Sequence, residues 1–237
     1  MSRSPFDRWW RAKTRYAAVE LFDHLLDVIY PPRCIHCRQP GTILCDRCQK
    51  NIQPAPAFAL RRAGIAADRL DGVLATGLFE GALQSAIHGL KYDRKLRLSG
   101  PLADRLVRHF RQAEWRSAAT IITAVPLHPT RLQQRGYNQA GLLAGRLAAA
   151  IDLPYVPQLL QRVRDTRSQV GLDYAGRQEN LAGAFVATPI APGQAIVLID
   201  DVYTTGATLR ACAAALRAAG ADRVWALTVA ATASTQM

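Results

Sequence analysis

The sequence predicts an α/β protein, a parallel sheet flanked by helices with a small cysteine-bearing module on its N-terminal side. Three observations predict it. Residues 195–199, Ala-Ile-Val-Leu-Ile, are apolar without alternation, the pattern of a strand buried on both faces of a parallel sheet. After a short polar loop, Leu209, Cys212, Ala213, Leu216 and Ala219 recur at helical spacing, and a second apolar run follows at 224–230. Cys34, Cys37, Cys45 and Cys48 form two Cys-x-x-Cys pairs that stand apart from that pattern.

The strand–helix–strand unit at 195–230 is expected to cross over right-handed, with Gly220 ending its helix. Ligands of such sheets bind beyond the carboxyl ends of the strands. The segment there reads Asp200-Asp201-Val202-Tyr203-Thr204-Thr205-Gly206-Ala207-Thr208. Thr204, Thr205 and Thr208 supply hydroxyls, and Gly206 lets the backbone approach an anion closely. The new helix turns its free N–H groups and positive dipole end to the same spot. Asp200 and Asp201 can accept hydrogen bonds from neighbouring sugar hydroxyls, each contributing roughly 1.5–3 kcal/mol. The same acids can steady positive charge developing on a sugar ring. Taken singly, they read as a helix cap and the threonines as a turn. In combination they point to a sugar phosphate.

The first cysteine pair is separated from the second by seven residues, with Pro40-Gly41 between to turn the chain back. Each pair offers two thiolates from a tight turn, and together they complete a tetrahedral sulfur site of the kind that holds structural zinc. Two disulfides or an iron–sulfur cluster are the alternatives, and the first is disfavoured in a reducing compartment. His36 reads as a bystander and Cys212 as a core residue. Before the knuckle, Leu21, Phe22, Leu25, Leu26 and Ile29 form an apolar helical stripe stopped by Pro31 and Pro32. Residues 51–68 read as a linker. The expected division is 1–60, an N-terminal helix with the four-cysteine knuckle, and 61–237, the sheet domain.

The chain has 237 residues, enough for one good core and a small appendage. Its 49% hydrophobic and 20% charged content is ordinary for a soluble globular protein. No run of about 18 uncharged apolar residues exists, so no transmembrane span is expected. Glu20, Asp23, His24 and Asp27 interrupt the apolar stretch at 17–30, which is unlike a secretory signal, and a cytoplasmic location is expected. The net charge is +12, and the basic excess lies wholly before residue 181. That balance fits a polyanion partner or a solvated basic face. Trp9 and Trp10, among Arg8, Arg11, Lys13 and Arg15, would suit a membrane surface, although a loose or packed terminus is commoner.

In the middle of the chain, 73–79 and 121–125 read as strands, and 81–91, 98–110 and 140–150 as helices. The second strand ends at Pro126-Leu127-His128-Pro129, followed by Arg131 and Arg135-Gly136-Tyr137-Asn138-Gln139. Cations at a strand end and helix start suit phosphate. Arg162, Arg164, Thr166, Arg167, Gln169, Arg177 and Asn180 form a long polar segment that reads as a loop able to close over a ligand. Each arginine alone is an ordinary surface cation.

Residues 200–208 resemble the signature loop of type I phosphoribosyltransferases. With Val125-Pro126-Leu127-His128, Arg135 to Gln139, the polar segment from Arg162 to Asn180, Phe185, the Leu90-Lys91-Tyr92 segment and the cysteine knuckle, the chain resembles the ComF family, named for bacterial competence, over about residues 20–231. The resemblance implies a phosphoribosyltransferase-like sheet and a site for phosphoribosyl diphosphate. Asp200 and Asp201 would hold the ribose hydroxyls, and Val202 and Thr204 to Thr208 would line the 5′-phosphate site. Leu127 and His128, with Arg131 and Arg135 beyond, would meet pyrophosphate, with magnesium bridging pyrophosphate and ribose oxygens. Arg162, Arg164 and Arg177 would belong to the closing loop. It also implies a part in uptake or use of incoming DNA, with single-stranded DNA and competence-machinery proteins as partners. Two activities follow: a phosphoribosyltransferase of unassigned acceptor, or a non-catalytic zinc-containing single-stranded-DNA adaptor whose phosphoribosyl site is regulatory or vestigial.

Overall fold

A computed structural model of the chain describes residues 31–55, 70–164, 181 and 183–233. Among them are strands β1 (Gly72–Ala75), β2 (Ile121–Ala124), β3 (Leu160–Arg162), β4 (Phe185–Ala187), β5 (Ala195–Tyr203) and β6 (Arg223–Ala231). The helices are α1 (Asp46–Lys50), α2 (Gly81–Tyr92), α3 (Ser99–Gln112), α4 (Pro129–Arg135), α5 (Gln139–Ile151) and α6 (Ala207–Ala218).

Four strands form one sheet in the order β1–β6–β5–β2, and every pairing in it is parallel. The apolar run of β5 is buried on both faces, as its lack of alternation requires. Its side chains alternate between two cores. Val197 and Ile199 share one with Leu227 and Val229, and with Leu83, Ile87, Leu102, Leu106, Leu143 and Leu147 of α2, α3 and α5. Ile196 and Leu198 face the other side, with Val224 and Ala226, and meet Leu209, Cys212 and Leu216 of α6 and Leu160 and Phe185 of the β3–β4 ribbon. The sheet is thus covered on both faces, as expected of parallel strands.

The cysteine module is joined to the first of these cores. Cys34, Leu44, Cys45 and Cys48 are buried with Leu83, Ile87 and Leu90 of α2. A Cβ on Gly89 would fall 2.8 Å from Leu98 Cδ1 and 3.3 Å from Ile35 Cδ1, so a side chain there would displace the Leu98 and Ile35 methyl groups packed on this face of α2.

The structure departs from the sequence expectations in extent more than in kind. The strand expected over 73–79 ends at Ala75. There the Thr76 hydroxyl donates to the Val229 carbonyl at 2.5 Å, and Arg105 donates to the Thr76 carbonyl at 2.7 Å. β5 runs four residues past its apolar stretch because Asp200, Val202 and Tyr203 pair with Thr228, Ala230 and Ala231 of β6. Beyond the expectation are α1, α4 and the antiparallel β3–β4 ribbon. The N-terminal stripe at 21–29, Trp9 and Trp10, most of the linker at 51–68, and Thr166, Arg167, Gln169, Arg177 and Asn180 lie outside the described residues. Among the described residues, no helix is long and apolar enough to cross a membrane.

Candidate functional site

The acid pair ends the central strand. Asp201 is only 4% exposed, whereas Asp200 is half-buried. The Asp201 N–H donates to Asp200 Oδ1 at 2.8 Å, which turns the first carboxylate back over the strand end. Burial, then the charge of Asp201, pushes the Asp200 carboxyl up to about 7, against the pull of Lys91, the Asp201 N–H and Arg162. Cys212 lies in the same field: burial first, and Asp200 second, push its thiol well above the usual range.

The chain then leaves β5 through Thr204, Thr205 and Gly206 and enters α6 at Ala207. Gly206 has φ +75°, the left-handed region, and a Cβ there would fall 2.7 Å from the Tyr203 hydroxyl and 2.9 Å from an Arg210 nitrogen. Only glycine fits without displacement. Arg210 donates to the Thr205 carbonyl at 2.8 Å, and the Ala207 N–H reaches Thr205 Oγ1 at 3.5 Å. Thr204 is exposed, and Val202, Thr205 and Thr208 are half-buried. A twelve-residue helix therefore opens behind a hydroxyl-lined loop, an arrangement suited to a phosphate.

Both oxygens of Asp201 are engaged from the other face of the sheet. The Lys91 ammonium lies 2.8 Å from Oδ1, and Gln139 donates to Oδ2 at 2.7 Å. Arg135 in turn donates to the Gln139 side-chain oxygen. Burial, the largest single influence, would lower the Lys91 pKa, but the charge and hydrogen bond of Asp201, with the charges of Asp200 and Tyr92, together offset it and hold the ammonium above its ordinary value. Lys91 and Gln139 are not among the sequence candidates for the site. Both stand inside segments that carry the family resemblance, which is the signal that could have found them.

The segment after β2 leaves the same carboxyl edge, because β2 is the parallel neighbour of β5. Leu127 and His128 are half-buried there, and His128 caps α4 by accepting from the Thr130 N–H at 3.4 Å. Arg131 and Arg135 are half-buried on α4. Asn138 fixes the start of α5: its amide donates to the Val125 carbonyl at 2.9 Å while its oxygen accepts from the Ala140 N–H at 3.1 Å. Arg162 sits on β3 with its guanidinium 5.6 Å from the Phe185 ring centroid, and its charge is the smallest of the influences that pull the Asp200 pKa down. Arg164 is exposed, and Arg177 lies outside the described residues.

The second cluster is separate. The sulfur atoms of Cys34, Cys37, Cys45 and Cys48 lie within 4.8 Å of one another, with Cys37 and Cys45 at 3.6 Å. A tetrahedron of zinc–sulfur bonds of about 2.3 Å places its sulfurs about 3.8 Å apart, so the set fits that ion. His36 turns away, with Nδ1 3.2 Å from Ser85 Oγ on α2.

A family model described as a phosphoribosyl transferase domain matches residues 138–237. Competence protein F of Haemophilus influenzae is 32% identical over 219 residues, covering 82% of this chain and 96% of that protein. The DNA utilization protein YhgH of Escherichia coli is 30% identical over 202 residues, covering 82% of each. Among solved structures, glutamine phosphoribosylpyrophosphate amidotransferase from B. subtilis, complexed with ADP and GMP, is 23% identical, covering 55% of this chain and 26% of that chain with a TM-score of 0.38.

Proposed function

The chain belongs to the ComF family, within the phosphoribosyltransferase superfamily, and on that premise we propose that it binds phosphoribosyl diphosphate with magnesium at the carboxyl edge of β5. The observation that carries the proposal is the union of a half-buried Asp200 with the Thr204–Thr208 loop at the head of α6. Asp200 Oδ1 is taken by a backbone N–H, and Oδ2 is left to a ribose hydroxyl. The loop hydroxyls and the first N–H groups of α6 receive the 5′-phosphate.

Leu127, His128, Arg131 and Arg135 meet the pyrophosphate, and Arg162, Arg164 and Arg177 complete its cationic wall. The Asp200 carboxylate is an oxygen donor that would help hold magnesium beside the pyrophosphate, where the ion would supply charge neutralisation. In a transfer reaction, the bond from ribose C1 to pyrophosphate breaks as the acceptor bonds to C1. Asp200 then steadies the positive charge on the ring while the arginines hold the departing anion. The four-cysteine cluster holds structural zinc, and a cytoplasmic setting keeps its thiols reduced. The names of the relatives support a role in uptake or use of DNA.

A second reading has one observation in its favour. Both Asp201 oxygens are already held by the chain's own side chains, which leaves the second acid of the pair committed to the fold instead of to a reacting sugar. In that reading the protein is a zinc-containing adaptor for single-stranded DNA, and phosphoribosyl diphosphate regulates it. Calorimetric titration with magnesium and phosphoribosyl diphosphate, with and without single-stranded DNA, tests both. Binding weakened at least about tenfold by Asp200→Asn supports the site, consistent with loss of a hydrogen bond to a charged group. No binding to the wild type, or equal binding to the variant, sinks it.

A further inference from the structure

We propose that Tyr92 is a stacking platform for a nucleobase, with Arg94 and Arg135 meeting the phosphate attached to it. Tyr92 ends α2 and is 67% exposed, the one aromatic ring among the large exposed apolar side chains of the described residues. The ring is propped in place. His88, one turn earlier, meets it edge-on at 5.6 Å and 82°, and the Arg135 guanidinium lies 5.6 Å from its centroid. A ring that is exposed and already ordered loses little freedom when a ligand stacks on it.

Arg94 is the second observation. It follows the end of α2 with φ +53°, a conformation that glycine adopts freely and an arginine rarely does. The sequence thus places a cation where the backbone favours glycine. Burial, with a smaller push from Asp93, raises the pKa of the nearby Tyr137 phenol, and the charges of Arg135 on α4 and of Arg94 after α2 oppose that rise. Asp93 is itself drawn to Lys95 at 3.7 Å. The chain neighbours of Tyr92 are Lys91, Asp93, Arg94 and Lys95, a composition suited to a planar base with a phosphate.

The platform adjoins the acid end of β5: Lys91 precedes Tyr92 and pairs with Asp201, and Arg135 reaches Asp201 through Gln139. The position of the base beside a ribose-phosphate site rests on the function proposed above, while stacking on Tyr92 does not. The base has two possible sources, a single strand or a free nucleotide.

The test titrates the full chain with an oligothymidylate, an abasic strand of equal length and thymidine monophosphate, using wild type, Tyr92→Ala and Tyr92→Phe. Loss of one stacked base predicts roughly tenfold weaker binding by Tyr92→Ala and near-wild-type binding by Tyr92→Phe. The abasic strand is expected to bind all three proteins alike. Tyr92-dependent binding of the monophosphate assigns a free nucleotide, and dependence seen with the oligonucleotide alone assigns a base in a strand. Equal binding by Tyr92→Ala, equal losses in both variants, or no binding of either base-bearing probe overturns the proposal. Phosphoribosyl diphosphate titrated into the same proteins separates the two readings: its failure to bind, with Tyr92-dependent base binding intact, overturns only the earlier one.

Discussion

The Lys91 ammonium and Asp201 Oδ1, 2.8 Å apart, tie the end of α2 to the end of the central strand. Neither side chain is more than 19% exposed, so removing one partner strands a charge. Lys91→Met is expected to destabilise the fold by about 3 kcal/mol, the scale of a broken buried pair. Adding Asp201→Asn should recover part of that loss, because both charges are then gone. Denaturant unfolding of the two single variants and the double variant checks this; strict additivity would contradict it.

Asp200 gives a pH dependence of defined sign. Its folded pKa is about 7, raised first by burial and then by Asp201, with Lys91 and Arg162 opposing. The unfolded value is about 3.9. The folded state therefore holds the proton more tightly, and the stabilisation present below about pH 4 is lost as pH rises through about 7. Asp200→Asn removes that titration. Thermal unfolding from about pH 5 to pH 8 should show the parent losing more stability than the variant across this window.

Gly206→Ala would place a methyl group against Tyr203 and Arg210 at a left-handed position. The backbone term alone costs about 1–2 kcal/mol. A larger loss is expected in affinity for phosphoribosyl diphosphate, since the loop proposed to receive the phosphate would have to shift. Unfolding and ligand titration on one preparation separate the effects, and unchanged affinity would remove the loop from the site.

Zinc should be found at about one ion per chain by elemental analysis, as four thiolates close one tetrahedral site. Cys45→Ser is expected to lower that content and the melting temperature together. Because the knuckle shares a core with α2, which carries Lys91, chelation should also weaken ligand binding. Full ligand affinity in metal-stripped protein would show that the knuckle does not support the site.

Much of this was legible in the sequence for local reasons. An apolar run, a glycine at a left-handed turn and a helical repeat define β5, its loop and α6 within a short stretch of chain. The cysteine spacing likewise announces its cluster. What was not legible depends on distant pairing. The extension of β5 through Asp200 and Tyr203 comes from the β6 ladder. Lys91 and Gln139 reach Asp201 only once α2 and α5 pack on the same face of the sheet. No local pattern announces that Asp201 is enclosed while Asp200 remains half-buried.

The central claim is most directly tested by isothermal titration of the wild-type chain with phosphoribosyl diphosphate, with magnesium present and with magnesium removed by chelation. The account predicts saturable binding with magnesium and much weaker binding without it. Absence of heat and of any competing-ligand displacement in the presence of magnesium would contradict it.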